Sequence, residues 1–175
     1  MDDAVGHYEH QELSMLATDA LRPENYTELL ASYLVQNDLC NAKFLWKRIP
    51  AEMKTSEELA AIWRVGQKLW LKDMPGFYAE VRSFPWSAAT APVVNQLIEF
   101  QRESNIRLIG IAYSSIQPLD VAKLLGVSVE EAETLVLSRG WTKSEGMIIP
   151  EEPPSFKYSI QKTRMKHNST KENNL

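Results

Sequence analysis

Few segments dictate a topology as narrowly as Ser114 to Pro150. A short apolar strand, two short helices split by Gly126-Val127-Ser128 and a two-stranded hairpin follow one another there. A long helix that turns almost wholly apolar from Ile106 to Tyr113 precedes them. That order is the order of a winged helix. In a DNA-binding version the second short helix enters a groove, and here it runs Val129-Glu130-Glu131-Ala132-Glu133. Three carboxylates at that place repel phosphate rather than release its counterions. The module is therefore expected to meet protein.

Each part of the segment has its local signal. Ser115-Ile116 suits a short strand, and Pro118 stands as the first residue of a helix, where its missing N–H costs nothing. Gly126 ends that helix, and Ser128 with Glu131 has the S-x-x-E spacing of a capping box. Trp141-Thr142-Lys143 and Met147-Ile148-Ile149 flank Ser144-Glu145-Gly146, a short Gly-containing hairpin loop. The hairpin ending at Ile149 is expected to present unpaired backbone groups beside apolar side chains, and such an edge either aggregates or pairs with a partner. Ile116, Trp141, Lys143, Met147 and Ile149 are the residues expected at that interface.

The preceding half is helical. Tyr26, Leu29, Leu30, Tyr33 and Leu34 form one helix face, and Asn37-Asp38 ends that helix and caps the next. Leu39, Ala42, Leu45, Trp46 and Ile49 line a second helix that closes at Pro50. A third, Glu57 to about Lys72, carries Leu59, Ile62, Trp63, Gly66, Leu69 and Trp70 on its buried face, with Gly66 permitting close approach of a neighbour. Asp73-Met74-Pro75-Gly76 restarts the chain into a short helix, Phe84-Pro85-Trp86-Ser87 is an aromatic corner, and Pro92 to Tyr113 reads as one long helix. Its last part lacks a polar face, which implies that it is surrounded. The fold class is thus mainly α, stacked helical repeats followed by a winged-helix module. The divisions are an N-terminal segment at 1–22 with a short helix from Leu13 to Leu21, a helical-repeat part at 23–91, the long helix and winged module at 92–150, and a Pro-rich linker with a basic, disordered tail at 151–175.

Charge sharpens the functional reading. Residues 1–154 hold 14 Lys and Arg against 22 Asp and Glu, while residues 155–175 hold 5 against 1. An acidic body argues against nucleic acid and anionic membrane, since both need clustered positive charge. The single cysteine, Cys40, permits no intramolecular disulfide, so a reducing intracellular compartment is expected. No apolar run approaches the roughly 20 residues that span a bilayer.

No chemical site outweighs its simpler reading. His7-Tyr8-Glu9-His10 lacks the spacing and third ligand of a zinc site, so no metal or cofactor is expected. Cys40 has no visible partner to lower its pKa and reads as a helix thiol. The tryptophans Trp46, Trp63, Trp70, Trp86 and Trp141 are assigned mostly to core packing rather than to stacking on bases, which would also need a positive groove. Lys162-Thr163-Arg164-Met165-Lys166-His167 is a solvated basic tail. The chain is not expected to be an enzyme.

Taken together, several segments resemble the eighth-subunit family of the COP-nine signalosome, PCI-domain proteins related to a subunit of the proteasome lid. They are Leu45-Trp46-Lys47-Arg48-Ile49-Pro50, Ile62-Trp63 with Val65-Gly66-Gln67, Pro75-Gly76-Phe77-Tyr78, Trp86-Ser87, Ala112-Tyr113-Ser114-Ser115-Ile116, Gly126-Val127-Ser128-Val129-Glu130-Glu131-Ala132 and Gly140-Trp141. The resemblance runs from about Tyr26 to Pro150. It implies a non-catalytic scaffold in a complex that removes the ubiquitin-like modifier Nedd8 from cullins, in the cytoplasm and nucleus, with other PCI subunits as partners docked through their winged modules. Family members usually finish with an apolar helix that enters a shared bundle, whereas residues 155–175 offer only Phe156, Tyr158, Ile160, Met165 and Leu175 among polar residues, the pattern of an alternatively ended form. The alternatives are a subunit of another PCI complex, such as the proteasome lid or a translation-initiation assembly, and a winged-helix nucleic-acid binder.

Overall fold

The computed structural model of the chain describes residues 22–151, together with Gly6 and His10. The helix expected at Leu13 to Leu21, His7 and the basic tail lie outside the described residues. Seven α-helices, a short 3-10 helix (Met53–Thr55) and one hairpin make up the described elements, so the chain is mainly helical as expected. Two compact units divide between Arg102 and Glu103.

In the first unit, α1 (Pro23–Val35) starts at Pro23 itself rather than at Tyr26. A proline at the first helical position loses nothing, because the first four N–H groups have no intrahelical partner. Asn25 Oδ1 accepts the Arg22 N–H at 3.1 Å in front of it. The face of Tyr26, Leu29, Leu30, Tyr33 and Leu34 is buried, and so are Thr27, Ala31 and Ser32 around the helix. The two buried hydroxyls are satisfied by bonding back along the helix, Thr27 to the Pro23 carbonyl and Ser32 to the Glu28 carbonyl.

Around α1 pack α2 (Leu39–Arg48) and α3 (Glu57–Trp70), and α3 packs in turn on α4 (Met74–Ser83). The α1–α2 turn follows its sequence signal. Asn37 takes φ 59° and Asp38 Oδ1 accepts the Asn41 N–H at 3.0 Å. Gly66 lies so close to α1 that an added Cβ would stand 3.2 Å from Leu34 Cδ2. The aromatic corner closes on itself, with Trp86 Nε1–H donating to the Val81 carbonyl at 2.8 Å and the Phe84 and Trp86 rings 4.9 Å apart.

The tryptophans depart from expectation. Trp46 and Trp63 stack at 4.9 Å but stay half-buried, and Trp70 is 48% exposed. Only Trp141 of the five is buried. An indole is large and carries a polar N–H, so helical spacing places it at a rim as readily as in a core.

The long helix, α5 (Ala91–Ala112), begins in the first unit and ends in the second. Its last turns are not surrounded. Ile106 and Ile109 are buried, but Leu108 is 56% and Ile111 42% exposed. The all-round apolar pattern thus marks one face in the core and one face left open.

In the second unit, Ile106 and Ile109 join a core with Ile116, Val121, Ala122, Leu125, Ala132, Val136, Trp141 and Ile148. This core is filled by α6 (Pro118–Leu125) packed on α7 (Val129–Leu137) and by the hairpin β1 (Thr142–Ser144) and β2 (Met147–Ile149). Gly126 at φ 65° caps α6 in the left-handed region. Asn105 on α5 is buried and its Nδ2 donates to the Leu124 carbonyl at 2.7 Å, satisfying a group that the end of α6 leaves open.

Candidate protein interface

The hairpin is held from three directions. Glu145 at φ 51° and Gly146 at φ 78° make a two-residue turn of the primed kind, whose twist matches that of the strands, so Ser144 belongs to β1 rather than to the loop. The strands pair antiparallel in the register Thr142↔Ile149, Lys143↔Ile148 and Ser144↔Met147. On the far side of β2, Ile116 forms an antiparallel bridge with Ile148. Ile116 N–H donates to the Ile148 carbonyl at 2.9 Å, and Ile148 N–H donates to the Ile116 carbonyl at 2.8 Å.

That bridge corrects where the open edge lies. The strand ending at Ile149 is flanked on both sides by its own chain, so its backbone at Ile148 is not free to receive a partner. The edge without a neighbouring strand, among the described residues, is β1. Alternation in an antiparallel pair then locates its bonding groups. Ile148 turns its N–H and C=O toward Ile116, so Lys143↔Ile148 is a non-hydrogen-bonded pair. Lys143 must therefore turn its own N–H and C=O away from β2. The edge offers one donor and one acceptor at a single residue.

The expected interface residues fall into two groups. Ile116 and Trp141 are buried in the core of the unit and hold the hairpin in place. Lys143 and Ile149 are exposed and Met147 is half-buried, so these three reach the surface. Sequence reasoning missed the exposed side of α5, where Leu108, Ile111 and Ala112 share one stripe and Tyr113 follows. The signal was present as an apolar helix end, but periodicity cannot tell an inward residue from one awaiting cover.

The charges near the hairpin are largely engaged. Lys143 Nζ lies 2.6 Å from Glu133 Oε1 and ties β1 to α7. Arg139 pairs with Glu103 at 2.7 Å. Glu131 accepts the Ser128 N–H at 3.0 Å while Ser128 Oγ accepts the Glu131 N–H at 3.2 Å, completing the capping box. Of the three carboxylates on α7, one caps and one is paired. α7 itself carries no Lys or Arg. The two neighbouring cations already have carboxylate partners, which leaves little charge to neutralise a phosphate backbone.

Elsewhere the chemistry is sparse. Cys40 is exposed. Among the described residues no group of three or more His, Cys, Asp or Glu is placed to hold a metal ion, and no helix is long and apolar enough to cross a membrane.

Comparison with known proteins agrees with this architecture. The model of the CSN8/PSMD8/EIF3K family matches residues 20–157. The chain is 43% identical over 149 residues to COP9 signalosome complex subunit 8 of Danio rerio, covering 83% of this chain and 78% of that protein. It is 41% identical over 155 residues to the Xenopus tropicalis protein of the same name, covering 87% and 80%. The Xenopus laevis counterpart is 40% identical over 141 residues, covering 79% and 72%. The family model's span takes in the seven described α-helices and the hairpin, and the chain belongs to the CSN8/PSMD8/EIF3K family.

Proposed function

We propose that this chain is a non-catalytic scaffold subunit of a COP9 signalosome. The first unit serves as a helical-repeat spacer and the second as a winged-helix module that docks on a neighbouring PCI subunit. In this reading it supports removal of Nedd8 from cullins, and so regulation of cullin-RING ubiquitin ligases, in cytoplasm and nucleus. The relatives named as subunit 8 of that complex support the assembly, since the chain is 43% and 41% identical to two of them over 149 and 155 residues.

The observation that carries the docking reading is the outward-facing Lys143 backbone on the β1 edge. A strand from a partner would pair with Lys143 as Ile116 pairs with Ile148, adding a strand to the sheet. Met147 and Ile149 would supply apolar contacts beside it.

Lys143→Pro removes the outward N–H without touching the bonds that β1 gives to β2. The expected outcome is loss of co-purification with neighbouring subunits while helical circular dichroism is unchanged. Ile148→Pro is the contrast, because it breaks the Ile116 bridge inside the chain and unfolds the second unit. Full co-purification of Lys143→Pro would rule out docking by strand addition. A steeply salt-dependent binding of random duplex DNA would instead favour a nucleic-acid binder.

A further inference from the structure

A second surface lies within the first unit and shares no residue with the β1 edge. α2 and α3 enclose a groove of about 220 Å³ whose floor is Leu34. Gly66 lets α3 sit close over that floor, and Trp63, Trp70 and Leu71 form one wall. Leu71 is 71% exposed. Large apolar groups left open around a concave floor mark a place where another apolar surface is seated.

Charge decides what kind of surface that is. The stretches 39–49 and 59–72 contain six Lys or Arg, and the carboxylates of Asp38, Glu57, Glu58 and Asp73 stand just beyond their ends. Arg64 is engaged with Glu80 at 3.1 Å and Lys68 with Asp73 at 3.0 Å. Lys43 reaches across the groove to lie 4.6 Å from the centre of the Trp70 ring. Lys47 follows one turn later along α2, and Lys72 follows Leu71 directly. Among the described residues Lys43 is the one charged residue lining the groove, on a body whose residues 1–154 carry 22 acidic against 14 basic side chains.

We infer that this groove receives an acidic amphipathic helix from a partner protein. Leu or aromatic side chains of the partner, spaced along one helix face, enter between Trp63 and Trp70, and Asp or Glu on its flanks meet Lys43, Lys47 and Lys72. A helix fits because the groove is itself the furrow between two helices, and side chains three and four apart on the partner would follow it. The charges set orientation and the apolar floor supplies the affinity.

The probe is a fluorescein-labelled, amidated peptide of about 15 residues, long enough to hold a helix, with Leu along one face and Glu on the flanks. Titrated into the full chain and read by anisotropy, it is expected to bind about tenfold more tightly than its twin in which Lys replaces Glu. The double variant Lys43→Glu with Lys72→Asp should reverse that preference. Leu71→Glu, a surface change, should weaken the acidic peptide while helical circular dichroism stays intact. Equal binding of the twin, or no binding of either, overturns the proposal. Self-association of the chain that Leu71→Glu abolishes would assign the groove to a second copy and overturn it too. So would peptide binding that requires deletion of residues 1–21, which would assign the groove to the chain's own N-terminal segment.

Discussion

Lys143 shows how one residue serves two ends. Its ammonium is paired with Glu133, a partly exposed contact that contributes at most about 1 kcal/mol. Its backbone is the free part, and that part needs a fixed β1 to be useful. Asp73 is a simpler case of the same economy. Its carboxylate accepts the Gly76 N–H at 2.9 Å and Lys68 at 3.0 Å, capping α4. The Gly76 hydrogen bond first, and Lys68 after it, hold its pKa below the usual 3.8. A carboxylate depressed in the folded state stabilises above its unfolded pKa and loses that contribution as pH falls through the folded value. Asp73→Asn keeps an acceptor for Gly76 but no charge for Lys68. Denaturant midpoints should therefore separate the variant from the parent at pH 7, and the gap should begin to narrow as pH falls below the usual 3.8. A gap that does not narrow there would contradict the assignment.

At the scale of elements, motifs written in neighbouring residues were the legible ones. The Ser128–Glu131 box, the Asn37–Asp38 turn and the Gly126 cap each depend on residues within one turn, so sequence spacing suffices to find them. Ser128→Ala should lower unfolding stability by about 1 kcal/mol, measured by urea denaturation, with the loss confined to the second unit. An unchanged midpoint would mean that the box contributes nothing. What stayed hidden depends on distant partners. Ile116 and Ile148 meet across 32 residues of chain, and no local pattern says which hairpin strand takes the inner place. That is why an open edge was expected on the hairpin without the sequence saying that β1 carries it. Trp70 and Leu108 went astray for a related reason: an apolar face looks the same whether its cover is in the same chain or elsewhere.

Across the whole molecule, the fold class was legible because helical periodicity is strong and the order of elements is unusual. The surfaces were only half legible, because they consist of what the chain leaves uncovered. Three such places emerge: the β1 edge, the exposed stripe on α5 and the groove beside α2 and α3. For a family member whose described residues hold no metal-ligating cluster, open apolar faces and one free strand edge are features of a part made to be joined. The most direct measurement is amide hydrogen exchange at Lys143, in the chain alone and in the assembled complex. Strand addition predicts that exchange at Lys143 slows by about a hundredfold on assembly, while Ile148 is protected in both states. An amide at Lys143 that exchanges equally fast free and assembled would contradict docking through this edge.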